Sequence, residues 1–237
     1  MSIAGKKIKE NIISLYGLQF ANYMLPLISM PYLLRILGPE IYGEVFYALT
    51  AVGYFTLLVD YGFNLTGTSA VARNKDDFEK LREIFSAVLY IKLCFILISI
   101  MLIILIYNTY GTLNLHPSIF LMTFSIVIAN ILFPIWFLQG LEEMKFLTLC
   151  NIISRIFFTV AIFWVIENEA DAIYVPMLNF FGALISGVLS IIYLRKKLGN
   201  LLIWIGLIKL KKYLVEGFGV FLSTISISLY TLSIHLF

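Results

Sequence analysis

The stretch YFTLLVDYGFNLTGTS, from Tyr54 to Ser69, begins as an apolar run and yet carries a carboxylate at Asp60. A charged side chain near the centre of a bilayer costs about 2.5–3.5 kcal/mol on insertion scales. Either a partner compensates for the charge of Asp60, or the helix ends near Val59 and places Asp60 at the membrane surface. The rest of the chain shows why a bilayer is the solvent to consider.

The composition of the chain is that of a membrane protein. Of its 237 residues, 61% are hydrophobic and only 13% are charged, and the mean hydropathy is +0.95. Soluble domains are typically about 45–50% apolar and about 25% charged. The sequence therefore predicts an all-α polytopic membrane protein.

Apolar runs of about 20 residues, the length that crosses a bilayer as a helix, recur along the chain. The N-terminal run is too long for a signal peptide and is interpreted as the first span. The predicted spans are 11–37, 44–71, 84–106, 118–138, 147–166, 173–194 and 216 to the end. We expect a six-helix N-terminal transmembrane lobe (1–194), a cytoplasmic or interfacial linker helix (195–214) and a seventh helix (215–237) that starts a second lobe.

The linker segment NLLIWIGLIKLKKYL, residues 200–214, is apolar but short, and it is rich in lysine at its end. This pattern is typical of an interfacial helix, with Trp204 buried in the membrane surface and the lysines facing the headgroups. The alternative is that the segment is simply the cytoplasmic end of the seventh span.

The connections between the predicted spans alternate in charge. Fourteen of the seventeen Lys and Arg residues lie in the N-terminal tail, in 73–82, in 139–146 and in 195–212, whereas 38–43, 107–117 and 167–172 contain none. The positive-inside rule places the basic segments, and the N-terminus, in the cytoplasm.

Small and polar residues share a helix face with Asp60. Residues at i±3, i±4 and i±7 lie on one side of a helix, and around Asp60 these positions hold Gly53, Thr56, Asn64 and Gly67. Such a face is expected to contact other helices or a wet cavity rather than lipid.

Other predicted spans repeat this pattern. Arg155 shares its face with Asn151 in the fifth span, and Gln19 and Asn22 lie on a polar stripe of the first span. The stripe of the sixth span, from Asn179 to Ser190, consists mainly of small residues and indicates close helix packing.

Lys92 differs because its neighbours on the helix are apolar. It lies about 8 residues, or about 12 Å, from the cytoplasmic end of its span, so its long side chain could reach the surface. It could instead pair with Asp60, as could Arg155, and the sequence leaves these alternatives open.

No motif for hydrolysis, nucleotide binding or paired-cysteine metal sites occurs in the sequence. The two histidines, His116 and His235, are isolated, and Cys94 and Cys150 both lie within apolar runs. No basic patch alternates with aromatic residues, which argues against nucleic-acid binding. We therefore expect no enzyme activity, no catalytic residues, no metal site and no cofactor.

Three motifs in order carry a family likeness: RILGPEIYGEVFYA (35–48), DYGFN (60–64) and PIWFLQGLEEMKF (134–146). Together they resemble the bacterial O-antigen flippases, the Wzx-type polysaccharide-repeat exporters. These belong to a superfamily that also contains lipid II flippases and multidrug extruders. The resemblance runs along essentially the whole chain.

The resemblance implies two six-helix lobes around a central cavity that work by alternating access in the bacterial inner membrane. It implies an undecaprenyl-diphosphate-linked oligosaccharide repeat as substrate, moved from the cytoplasmic to the periplasmic leaflet for O-antigen synthesis. Polysaccharide polymerase and chain-length proteins are the implied partners, besides membrane lipids. Family members have about twelve spans, so we expect this chain to be a fragment, a frameshifted product or a truncated sequence that does not transport alone.

Within that function, Arg155 is expected to offer positive charge to the diphosphate, with Lys92 as a weaker candidate. Asp60 would pair with them or take part in ion coupling. The amides of Asn64, Gln19, Asn22 and Asn151 would contact sugar or water. The alternatives are an ion-coupled small-molecule extruder of the same fold, a membrane-embedded polysaccharide polymerase, and a scaffold in which the polar faces only pack.

Overall fold

The structure, a computed structural model, describes residues 3–110 and 117–234. This part of the chain is helical almost throughout and contains no strand. The predicted outer connection at 107–117 falls largely on residues outside the described ranges, as does His235. The helices are α1 (Ile3–Asp60), α2 (Phe63–Arg73), α3 (Phe78–Tyr110), α4 (Pro117–Leu132), α5 (Ile135–Gly140), α6 (Met144–Val165), a 3₁₀ turn (Glu169–Ile173), α7 (Tyr174–Leu198) and α8 (Leu207–Ile234).

The first two predicted spans join with almost no loop. The only non-helical residue inside α1 is Gly38, with φ 72° and ψ 166°, a conformation that glycine adopts without steric cost. Pro39 follows, and proline suits the first position of a helix because its φ is fixed and it has no N–H to leave unpaired. The break divides α1 into a first arm (3–37) and a second arm (39–60).

Five stretches of the described chain are long and apolar enough to cross a membrane. The first, Leu15–Arg73, has 59 residues, about 90 Å of helix at 1.5 Å per residue. A membrane core is about 30 Å thick, so this stretch is long enough for the first two predicted spans. The fold class is confirmed as a polytopic all-α membrane protein, whereas α8 is not among the five stretches and its crossing remains a prediction.

The first arm of α1 and α6 run parallel to each other. A Cβ built on Gly17 would lie 3.8 Å from Cγ2 of Thr148, and the rings of Tyr32 and Phe163 are 4.5 Å apart. Each pair is separated by 131 positions in sequence, so the two helices keep one register over their length. Both helices therefore begin at the same end of the bundle, as the predicted topology requires.

Helix α7 packs closely against α6 and α4. A Cβ on Gly182 would lie 3.0 Å from the carbonyl oxygen of Ser154, and the hydroxyl of Ser186 donates to the carbonyl of Cys150 at 3.1 Å. On the other side, a Cβ on Gly187 would lie 2.7 Å from Cβ of Leu132. The small residues of the sixth predicted span are thus packing residues, as their spacing predicts.

The second predicted span is not one continuous helix. It ends at Asp60, and Tyr61 (φ 46°) and Gly62 (φ 73°) follow in the left-handed region before α2 begins. The continuous face predicted from Gly53 to Gly67 is therefore wrong. Gly62 adopts the left-handed conformation without steric cost, and the ring of Tyr61 is stacked between Phe95 and Phe221, at centroid distances of 4.8 and 4.5 Å.

The α7–α8 connection also differs from the prediction. Residues 201–206 are not helical, so no single linker helix covers 195–214. Instead, residues 199–206 form an extended segment, here called the strap, that runs along α3. Three side chains at successive turns of α3 hold the strap and the last residue of α7. Arg82 donates to Leu198 O at 2.9 Å, Ser86 donates to Leu201 O at 3.0 Å, and Tyr90 donates to Ile203 O at 3.3 Å. Trp204, predicted to be buried in the membrane surface, is 90% exposed on the protein.

Gly187→Ala is expected to destabilise the protein. The new methyl group would meet Cβ and the backbone of Leu132, and overpacking of this kind costs typically 1–3 kcal/mol. The free energy of unfolding, measured by SDS titration of the purified protein in mixed micelles, should fall by about that amount.

Gly43→Ala is the matched control, because Gly43 is also helical and a Cβ there would meet no atom within 4 Å. Alanine should be neutral or stabilising at that position, by up to about 1 kcal/mol, through its helix propensity. Equal effects of the two substitutions would contradict the packing assigned to Gly187.

Candidate functional site

The carboxylate of Asp60 is paired with the ammonium of Lys92. Lys92 Nζ lies 2.6 Å from Oδ1 of Asp60, and Nδ2 of Asn64 donates to the other carboxylate oxygen at 3.2 Å. The side chain of Lys92 is 7% exposed and that of Asp60 is 29% exposed. Lys92 therefore points into the protein and does not extend to the membrane surface, and of the two predicted partners of Asp60 it is Lys92, not Arg155, that forms the ion pair.

The helix break positions this ion pair. Asp60 is the last residue of α1, where the negative end of the helix dipole disfavours a carboxylate, and Lys92 offsets that cost from α3. Asn64 belongs to the first turn of α2, and it reaches Asp60, four residues earlier, across the turn at Tyr61 and Gly62. The cluster of Asp60, Asn64 and Lys92 is thus internally satisfied.

Arg155 lies in the middle of α6 and is partly buried. No hydrogen bond or ion pair joins its guanidinium to another residue of the described chain. Thr148 and Thr159, on the same helix face, are buried at 8% and 7% exposure. Arg155 is therefore an intramembrane cation without a protein anion to compensate for it among the described residues.

Unpaired polar atoms lie on the helices around Arg155. The side-chain oxygens Oδ1 of Asn22, Oδ1 of Asn151 and Oγ1 of Thr159 are buried and have no hydrogen-bond partner within the described part of the chain. The register of α1 and α6 places Asn22 level with residue 153, between Asn151 and Arg155. A buried polar atom without a partner costs roughly 1–3 kcal/mol, so each of these oxygens would be stabilised by a hydrogen-bond donor.

The seven residues predicted for the site thus divide into two groups. Asp60, Asn64 and Lys92 form the ion-pair cluster, and Asn22, Asn151 and Arg155 lie at about one level on the packed helices α1 and α6. Gln19 belongs to the same arm of α1 as Asn22, but its side chain is exposed. Sequence periodicity identified the polar faces, and it could not determine which cation Asp60 would meet.

Sequence reasoning missed a polar network at the basic end of the bundle. Glu83 accepts hydrogen bonds from Lys209 at 2.7 Å, Lys80 at 2.6 Å and Tyr213 at 3.1 Å, which join the start of α3 to the start of α8. Burial, and then the charge of Glu83, raise the pKa of the Tyr213 phenol, which keeps it a hydrogen-bond donor. No spacing rule connects residues 126 to 130 positions apart.

The acidic residues of the connection between α5 and α6 are also paired. Lys75 bonds Glu142, and Lys197 bonds Glu143. These pairs, with the Glu83 network, bring three of the basic connections to one end of the molecule. Exposed pairs of this kind contribute about 0–1 kcal/mol each, so they position the connections more than they stabilise the fold.

No group of three or more His, Cys, Asp or Glu side chains converges among the residues that the structure describes. The buried ion-pair cluster and the polar helix interface, set in a helical bundle with an apolar exterior, define a membrane protein of the polytopic, all-helical class. Comparison with known proteins then gives the family. The profile described as Polysaccharide biosynthesis protein matches residues 8–237, and the chain belongs to this family.

Two curated relatives carry the name "Putative O-antigen transporter". The protein from Escherichia coli (strain K12) is 33% identical over 232 residues, which cover 96% of this chain and 55% of that protein. The protein from Shigella dysenteriae is 31% identical over 226 residues, which cover 94% of this chain and 56% of that protein. The chain spans about half the length of these relatives. No solved structure matches it.

Proposed function

We propose that this chain forms the N-terminal lobe, and the first helix of a second lobe, of a flippase for lipid-linked oligosaccharides. The substrate would be an undecaprenyl-diphosphate-linked repeat unit, moved from the cytoplasmic to the periplasmic leaflet by alternating access for O-antigen synthesis. The family and the names of the two relatives support this class of function. The observation in the structure that carries the proposal is Arg155.

An unpaired guanidinium inside the membrane requires an anion. The intramembrane cost of Arg is about 2.5–3.5 kcal/mol or more, and a partner that binds Arg155 would recover part of it. The planar guanidinium offers paired N–H donors that match phosphate oxygens. A diphosphate that passes between the lobes is an anion of the required kind.

The unpaired amides would serve the sugar part of the substrate. Oδ1 of Asn22 and Oδ1 of Asn151 are acceptors, and the hydroxyl groups of an oligosaccharide are donors. Gln19, exposed on the same arm of α1, would contact sugar or water nearer the end of the helix. The bound molecule would thus lie with its diphosphate at Arg155 and its sugars along the interface of α1 and α6.

In this proposal the Asp60–Lys92 pair has a structural role. The two charges neutralise each other at 2.6 Å, and Asn64 satisfies the second carboxylate oxygen. That geometry leaves Lys92 little capacity for a diphosphate. It also disfavours the ion-coupled extruder, in which Asp60 would have to be available for a proton or a sodium ion.

The proposed location is the inner membrane of a bacterium, with the N-terminus in the cytoplasm. Support comes from the grouping of basic connections at one end, through Lys75, Lys197 and Lys209, and from the positive-inside rule. Polysaccharide polymerase and chain-length proteins are the proposed partners, because they would take up the exported repeat unit.

Arg155→Gln is expected to reduce O-antigen export on the order of tenfold, because it removes the charge that would bind the diphosphate. The measurement is surface O-antigen in a host whose own copy of the gene is deleted and complemented by the variant gene in its natural reading frame. Arg155→Lys keeps the charge but loses the paired geometry, so it should restore export in part.

Arg35→Gln is the matched control, since Arg35 is an exposed arginine near the outer end of the first arm of α1. It should leave export close to that of the unmodified protein, at equal amounts in the membrane. Normal export by Arg155→Gln would remove Arg155 from the site and with it the observation on which the proposal depends.

The orientation has its own test. Alkaline phosphatase is active only outside the cytoplasm, so a fusion after Asp77 should be inactive and a fusion after Asn168 should be active. The reverse result would place the basic connections outside the cytoplasm and contradict the proposed direction of transport.

A further inference from the structure

An open cleft of about 460 Å³ lies between α2, α3 and α8, away from the interface of α1 and α6. Pockets for small molecules are typically about 300–1,000 Å³. Residues of α2 form one wall, residues of α3 form the floor, and α8 closes the other side. The lining residues used below are Leu65, Ser69, Arg73, Glu216 and Val220.

The cleft changes from polar to apolar along the bundle axis. Arg73 is the last residue of α2, at the end where the basic connections meet, and the exposed Leu65 lies eight residues earlier in α2, about 12 Å deeper. On the facing side, Val220 is thirteen residues into α8. The charged part of the cleft is thus at the membrane surface, and its apolar part extends into the hydrocarbon region.

Two residues of opposite charge, Arg73 and Glu216, line the cleft without pairing with each other. Arg73 uses Nε to donate to the carbonyl of Ser69 at 3.2 Å, and its guanidinium makes no ion pair within the described chain. Glu216 lies on the α8 side and has only a distant contact with Lys212, at 3.9 Å. An anion can therefore bind at Arg73 while a cation binds at Glu216.

From this arrangement we propose that the cleft binds a zwitterionic aminophospholipid, such as phosphatidylethanolamine. The phosphate would accept hydrogen bonds from the free guanidinium nitrogens of Arg73. The primary ammonium would donate to Glu216, and an acyl chain would lie on Leu65 and Val220. This site is separate from the proposed site at Arg155, and its existence does not depend on what the protein transports.

The charges also predict which lipid is preferred. Phosphatidylglycerol has the phosphate but no ammonium, and phosphatidylcholine has a quaternary ammonium without N–H donors. Only phosphatidylethanolamine can form hydrogen bonds with both Arg73 and Glu216. Charge-assisted hydrogen bonds are about twice as strong as neutral ones, so we expect a preference of about three- to tenfold at this open site.

The test is native mass spectrometry of the purified, delipidated chain in detergent, titrated with dioleoyl forms of the three lipids. The unmodified protein should retain one phosphatidylethanolamine with saturable binding, ahead of the other two lipids. Arg73→Gln should weaken the binding of all three lipids by about tenfold. Glu216→Gln should weaken phosphatidylethanolamine more than phosphatidylcholine and so remove most of the preference between them, because both lose the attraction to the carboxylate but only the primary ammonium also loses a charge-assisted hydrogen bond.

Arg195→Gln and Glu79→Gln are the matched controls, since both residues are exposed and lie outside the cleft lining. Ser69→Trp, on the exposed wall, should fill the cleft and block all three lipids. Circular dichroism and size-exclusion chromatography establish that each variant is folded before it is titrated. Equal affinity of the unmodified protein for the three lipids, or equal effects of Arg73→Gln and Arg195→Gln, would overturn the proposal.

A further prediction concerns the ion pair, whose two partners are unequally buried. Asp60→Asn leaves the nearly buried ammonium of Lys92 unpaired and should destabilise the protein strongly. Lys92→Met leaves a carboxylate that is partly exposed and still bonded to Asn64, so its cost should be smaller. The double variant should be more stable than Asp60→Asn alone, in SDS titration of the micellar protein. A double variant that only adds the two losses would contradict this account.

Discussion

The ammonium of Lys92 lies inside a membrane helix, and the structure is arranged around the need to pair it. An unpaired charge there is costly, and Asp60 provides the partner at 2.6 Å. For Asp60 to be that partner, α1 ends at this residue and the chain turns through Tyr61 and Gly62 before α2 begins. Within this turn, the ring of Tyr61 stacks on Phe95 of α3 and on Phe221 of α8.

Helix α3 consequently joins the parts of the bundle. Its side chains Arg82, Ser86 and Tyr90 hold the strap and the end of α7, and Lys92 follows two residues after Tyr90. Glu83 adds contacts to Lys209 of α8. The start of α8 is therefore attached to α3 by the polar bonds of Glu83. Further along α8, Phe221 stacks on Tyr61 in the turn between α1 and α2. If the two proposed lobes move relative to each other, these contacts require the start of α8 to move with α3.

The intramembrane charges fall into two classes with different consequences. Asp60 and Lys92 compensate for each other, and Asn64 completes the cluster, so they stabilise one arrangement of three helices. Arg155 has no such partner among the described residues, and buried amide oxygens of Asn22 and Asn151 accompany it. Unpaired polar groups of this kind are tolerated where a ligand or water fills the space, and this difference separates the structural pair from the proposed binding site.

Sequence alone determined the fold class, because the apolar fraction and the length of the apolar runs leave a helical membrane bundle as the predicted architecture. The i, i+3, i+4 spacing also identified the polar face of α6 and the packing face of α7, since both depend only on the geometry of one helix. The alternation of charge predicted which connections meet, and Lys75, Lys197 and Lys209 indeed form pairs at one end.

Tertiary structure decided everything that depends on a second helix. The partner of Asp60 is Lys92, 32 residues away, and the sequence could not choose it over Arg155 because helix periodicity contains no distance between helices. The strap at 199–206 was missed for the same reason, and the end of the helix near Asp60 was only one of two alternatives that the sequence left open. Each segment contains a glycine with positive φ, Gly62 or Gly199, and is held by side chains of α3 or α8. Local sequence therefore determined the helices, and contacts between helices determined where they end and which charges meet.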